Sequence, residues 1–153
     1  MRMQLTSVTL FVVGCATVAV PIVVPRSAAA QPTGSQAVVM LAAHMQFKDV
    51  APGVSRAVLW GDPDTGAFGA LTKFKAGTWK ALHTHSNDIR IVVITGAYIH
   101  EAGGKKTTVG PGSYMLVPGG EPHASGAGKG QDALFLEESD GKFDLQFIEQ
   151  KGK

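Results

Sequence analysis

His83-Thr84-His85 sets two imidazoles one residue apart. In an extended strand, side chains at i and i+2 leave the same face, so these rings would stand side by side. Neighbouring neutral imidazoles are a bidentate start on a divalent transition metal, each nitrogen about 2.1 Å from the ion. The same pair is also compatible with two half-exposed histidines at a strand end. The other histidines are His44, His100 and His123. Nucleophilic chemistry lacks its residues. No serine elbow and no phosphate-binding glycine loop occur, and the single cysteine, Cys15, lies in an apolar N-terminal stretch.

The elements that must position these imidazoles are short. Residues 54–60 (VSRAVLW) are bounded by Pro52-Gly53 and by the turn-rich GDPDTG at 61–66. Further strand-like runs follow at 67–74, 89–100, 112–118, 132–138 and 143–149, separated by Gly, Pro and Asp turns. No run after residue 45 carries a clear helical period. This pattern predicts an all-β sandwich or barrel. Residues 37–45 (AVVMLAAHM) fit a short helix or a first strand equally well.

Gly77-x5-His83-x-His85, closing at Gly96, resembles the first motif of the cupin superfamily. Gly112-x5-Pro118-x-Gly120-x2-His123 resembles the second, and the 15 residues between them match the compact spacing of microbial cupins. The resemblance implies a small single-domain bacterial cupin: an all-β double-stranded β-helix, or jelly-roll barrel, with a metal in its mouth. It also implies that His83, His85 and His123 are the metal ligands. Gly77, Gly96, Gly112 and Gly120 are expected where corners need a positive φ or a close backbone approach.

Two positions depart from the family pattern. The usual first-motif glutamate falls on Ile89 or Arg90, and the usual second-motif asparagine falls on Ala127. This is a three-histidine variant. Asp88 or Glu121 is a candidate fourth ligand; on a regular strand, Ile89 and Ile91 share the face of the histidines while Asp88 and Arg90 face away. His44 and His100 are expected to be surface or structural. Trp79 and Ala81 share the parity of His83 and are expected on the cavity side, with Tyr98 and Tyr114 as wall residues. Three neutral imidazoles leave the ion its full +2 charge, which favours an anionic, chelating small organic molecule. Fe, Mn, Zn, Ni, Co and Cu all suit such donors.

Residues 1–30 read as a signal peptide: Arg2, an apolar stretch from Leu5 to Val24, then Ala28-Ala29-Ala30 as a small-residue cleavage site. Val12-Val13-Gly14-Cys15 resembles a lipobox, but the residues after Cys15 stay apolar, against lipid anchoring there. Export to a secreted or periplasmic location is expected, with a leader over 31–45 and the cupin domain over 46–150. Without Arg2 and Arg26 the 14 basic residues become 12, against 12 acidic ones. A neutral domain makes no electrostatic case for nucleic acid or an anionic membrane. No stable membrane span is expected, and a homodimer through the outer strands is compatible with the pattern. Three functions stay open: a dioxygenase-type or isomerase-type metalloenzyme, a non-catalytic metal-dependent binding or sensing module, and a metal-free structural jelly roll.

Overall fold

A computed structural model describes residues 37–149. The expected signal segment with Cys15, and the first part of the expected leader, lie outside the described residues. The described strands are β1 (Lys48–Ala51), β2 (Val54–Gly61), β3 (Phe68–Phe74), β4 (Trp79–Thr84), β5 (Ile89–Thr95), β6 (Tyr98–Ala102), β7 (Lys105–Val109), β8 (Tyr114–Val117), β9 (His123–Ala127), β10 (Ala133–Ser139) and β11 (Gln146–Phe147). The undecided segment 37–45 contains one 3-10 turn, Ala42–His44, with no buried residue. It is too short to sustain an isolated helix, and the fold offers it no strand partner.

Six strands form one sheet in the order β1-β2-β3-β10-β5-β8, and five form the other in the order β11-β4-β9-β6-β7. Every pairing is antiparallel. This is the jelly roll that the sequence predicts. Period-two patterning builds it: Ala133, Phe135, Glu137 and Ser139 of β10 are buried while the intervening residues are half-buried. Ile89, Ile91 and Val93 of β5 do the same beside them. Between the sheets, Phe135 meets Phe74 and Tyr98 edge-on, with ring centroids 5.1 and 5.0 Å apart. Each large side chain so buried contributes roughly 1.5–3 kcal/mol.

The four motif glycines all have positive φ. At Gly96 the requirement is twofold: φ is 74°, and a Cβ would lie 2.0 Å from the carbonyl oxygen of Asp132. The strand before the first histidine pair is less regular than its sequence suggests. Lys80 pairs with Ser125, yet His83 pairs with His123, so β4 carries one extra residue between these points. Lys80 therefore joins His83 and His85 on the cavity side. Trp79 and Ala81, expected there by parity, face the opposite side, where they line an outer groove with Glu101 and Ile148. A single bulge residue reverses every side chain before it.

Candidate metal centre

His83 ends the inward face of β4, His85 follows it in the turn to β5, and His123 opens β9 directly across from His83. All three are buried, and one ring nitrogen of each lies within 4.8 Å of the others. The His83 and His123 centroids are 4.2 Å apart, and His85 sits 5.0 and 5.3 Å from them. One ion about 2.1 Å from each nitrogen would draw the three rings closer together.

The tautomers follow from the backbone. His83 Nδ1 lies 2.7 Å from the Ala81 carbonyl, His85 Nδ1 2.5 Å from that of Asp144, and His123 Nδ1 2.9 Å from that of Glu121. A carbonyl only accepts, so each Nδ1 carries the proton and donates it. Each Nε2 is left with its lone pair. That of His123 is buried with no hydrogen-bond partner among the described residues. An orphaned buried acceptor is costly unless something takes its lone pair. Backbone-anchored imidazoles of this kind are the usual support of a metal ligand. The donor set therefore fits a divalent transition ion.

Electrostatics agrees. Burial, joined by repulsion from His123, His85 and His100, lowers the His83 pKa from 6.5 to about 4 despite the Ala81 hydrogen bond. Burial likewise lowers that of His123, against the pull of the Glu121 carbonyl. Both rings are neutral, as ligation requires.

The candidate fourth ligands are engaged elsewhere. Asp88 is exposed and accepts the backbone N–H of Gly119 at 2.9 Å, fixing the second-motif loop. Glu121 turns toward His100, with Oε1 3.6 Å from its Nε2. Among the described residues no carboxylate joins the three-histidine group. His44 is exposed, as expected. His100 is not a surface residue: its ring stacks on His123 at 5.1 Å, so it supports a site residue from behind. Tyr98 is a buried wall residue whose hydroxyl burial holds in its neutral form, whereas Tyr114 is exposed on the outside.

The histidines open into a cavity of about 570 Å³. Ile89, Ile91, Val117 and Phe135 give it apolar walls, in line with the parity argument for Ile89 and Ile91. Three polar residues in or behind that wall have no counterpart in the sequence reading. Arg56 of β2, Thr72 of β3 and Glu137 of β10 form a buried network, with Arg56 Nη2 2.9 Å and Thr72 Oγ1 2.6 Å from Glu137 Oε2. The signal was present, because Glu137 shares the parity of Phe135 on an otherwise apolar strand face. A strap before and within β11 closes the site: the Phe143 ring lies 5.3 Å from His85, and Phe147 lies 6.2 Å from His83.

The family model of the ChrR cupin-like domain matches residues 35–139. The chain belongs to this cupin family. No curated protein matches it. Among solved structures, this cupin is similar to KdgF from Halomonas sp. at 24% identity and a TM-score of 0.57, over 69% of this chain and 94% of that one. The polyketide cyclase RemF from Streptomyces resistomycificus superimposes with a TM-score of 0.65 at 19% identity, over 76% and 88% of the two chains. A variant of salicylate 1,2-dioxygenase from Pseudoaminobacter salicylatoxidans, in complex with gentisate, gives 0.52 at 22% identity over 65% and 31%. At these identities the likeness is one of fold. Cupins of this shape include a cyclase and a dioxygenase that handle small organic molecules.

Proposed function

We propose that this cupin is an exported metalloprotein that binds a divalent transition ion through Nε2 of His83, His85 and His123. Its reaction is of the dioxygenase or isomerase type on a small anionic, chelating organic substrate. One observation carries the reading: three buried imidazoles, each with Nδ1 tied to a backbone carbonyl, leave three unprotonated nitrogens around one point. A structural barrel has no use for that arrangement. The ion, when bound, polarises the oxygen donors of a chelating ligand and, where redox-active, exchanges electrons with dioxygen.

The chain supplies the rest. Neutral imidazoles add no negative charge, so an anionic ligand is drawn to the site. The apolar walls exclude water and strengthen every polar contact inside. The Phe143 strap limits how a ligand can lie beside His85. Residues 1–30 support export, with the mature chain starting at Gln31.

The test is metal analysis of the mature protein recovered from the exported fraction, whose mass should correspond to a start at Gln31. Wild type is expected to hold one equivalent of ion, and His83→Ala and His123→Ala only traces. Equal trace metal in all three folded proteins removes the proposal. Oxygen uptake and product formation with β-diketones and keto acids then separate an enzyme from a module that binds without turnover.

A further inference from the structure

The buried network of Arg56, Thr72 and Glu137 stands apart from the histidines, on the opposite sheet. Its connections are one-sided. Arg56 Nε approaches Thr72 Oγ1 at 3.4 Å, so that hydroxyl accepts from the guanidinium and turns its own proton to Glu137. Arg56 Nη2 donates to the same carboxylate oxygen, Oε2. Both hydrogen bonds land on one oxygen of a side chain that lines the cavity. The other oxygen, Oε1, is a charged acceptor left for whatever enters.

A buried ion pair is a poor device for stability alone, because the cost of dehydrating both charges offsets most of their attraction. Two further contacts tie this one to the site. The Arg56 guanidinium lies over Phe143, with Cζ 4.1 Å from the ring centroid. Phe143 also packs against His85 at 5.3 Å. One ring thus floors the space between the two polar poles of the cavity.

We propose that Glu137, oriented by Arg56 and Thr72, is a second ligand subsite that accepts a hydrogen bond from a hydroxyl group of the bound molecule. The substrate class narrows accordingly: an acid or diketone that presents its oxygen donors to an ion held by the histidines and carries a hydroxyl group at its other end. This narrowing rests on the reading of the cavity as the ligand site. The subsite itself is independent of metal.

Its polarity can be inverted with one atom. In Glu137→Gln, Arg56 and Thr72 both still donate, so the amide carbonyl must occupy the Oε2 position. The amide NH2 then faces the cavity, and an acceptor becomes a donor. The experiment titrates metal-free protein with phenol and with anisole, rings of similar size that differ in having a hydroxyl donor. Methyl NMR signals of Ile89 and Ile91 report occupancy. Wild type is expected to bind phenol about tenfold more tightly than anisole, the scale of one hydrogen bond to a charged group. In Glu137→Gln that preference should vanish or reverse. The variant Arg56→Met/Glu137→Met, which replaces the pair by apolar groups of similar volume, should also lose it and serves if the glutamine variant does not fold. An unchanged phenol preference in the variants, no preference in wild type, or no binding of either ring to wild type overturns the subsite. The preference in wild type, together with only trace metal in the protein as isolated, supports the subsite and sinks only the metal reading.

Discussion

A histidine whose two nitrogens are assigned by its surroundings behaves differently from a free one. His83 donates through Nδ1 and is buried among three other imidazoles, so its protonated form is disfavoured and its pKa falls from 6.5 to about 4. In the unfolded chain the same ring takes up a proton near its ordinary value. Between those values the unfolded state binds more protons than the native one, so acid destabilises the fold. The contribution is whole above about 6.5, declines as pH falls through the window, and is lost below about 4. Urea midpoints of the metal-free protein are expected to drop steadily across that window, with a shallower drop in His83→Gln. Parallel pH profiles for the two proteins would refute the assignment. The carboxylate of Asp144 does not blur this window. Desolvation pulls its pKa up, but hydrogen bonds from Ser86 and Gln146 outweigh it and hold the group down at about 2, below its ordinary 3.8.

At the level of elements, the strap around Asp144 shows how a loop fixes a ligand. The Asp144 carboxylate accepts from Ser86 N at 2.7 Å, Ser86 Oγ at 2.5 Å and Gln146 Nε2 at 2.8 Å, while its carbonyl accepts from His85 Nδ1. One residue thus anchors the strap and orients a site imidazole. Asp144→Ala keeps the carbonyl to which His85 donates but frees the strap that holds it, and is expected to weaken metal binding about tenfold, the lower end of the cost of losing a partner that orients a ligand. Asp140→Ala breaks the outward Arg90–Asp140 ion pair instead and should leave affinity unchanged. Competition with a chelator measures both. The strand-like run at 143–149, which holds β11, was legible, but its contacts to the site were not, because the one from Asp144 to His85 spans 59 residues of chain. The alternation of His83 and His85 was legible, and so was that of Ile89 and Ile91, since period two survives wherever a strand is regular. It failed for Trp79 and Ala81, which lie before and within the bulge, a feature with no glycine or proline to mark it in the run from Trp79 to His83. Glu137 carried one sequence signal, its parity with Phe135, but that signal does not name the partners Arg56 and Thr72, which come from strands 81 and 65 residues away.

For the molecule as a whole, the glycine-framed runs specify a jelly roll because turns and period-two faces are local properties that tertiary packing has no reason to override. The proposed ion acts on a larger scale. Its three imidazoles come from β4, from the turn after it and from β9, and the His85 anchor comes from the C-terminal strap. The ion would pull together segments far apart in sequence that the unfolded chain cannot assemble. Binding to the native state alone stabilises it by RT ln(1 + [L]/Kd), about 2.7 kcal/mol at a hundredfold excess over Kd. For a domain of this size that corresponds to a rise in Tm of about 10 °C. Among the described residues no helix is long and apolar enough to cross a membrane. Zn(II) or Co(II) titrated into metal-stripped protein at pH 7 should give that rise. At a pH near 4 the gain should shrink, because protons then compete for the same nitrogens that the backbone carbonyls have left free. A Tm that ignores added metal at neutral pH, or a shift of equal size in His123→Ala, would separate the fold from the ion and leave the three imidazoles without a purpose.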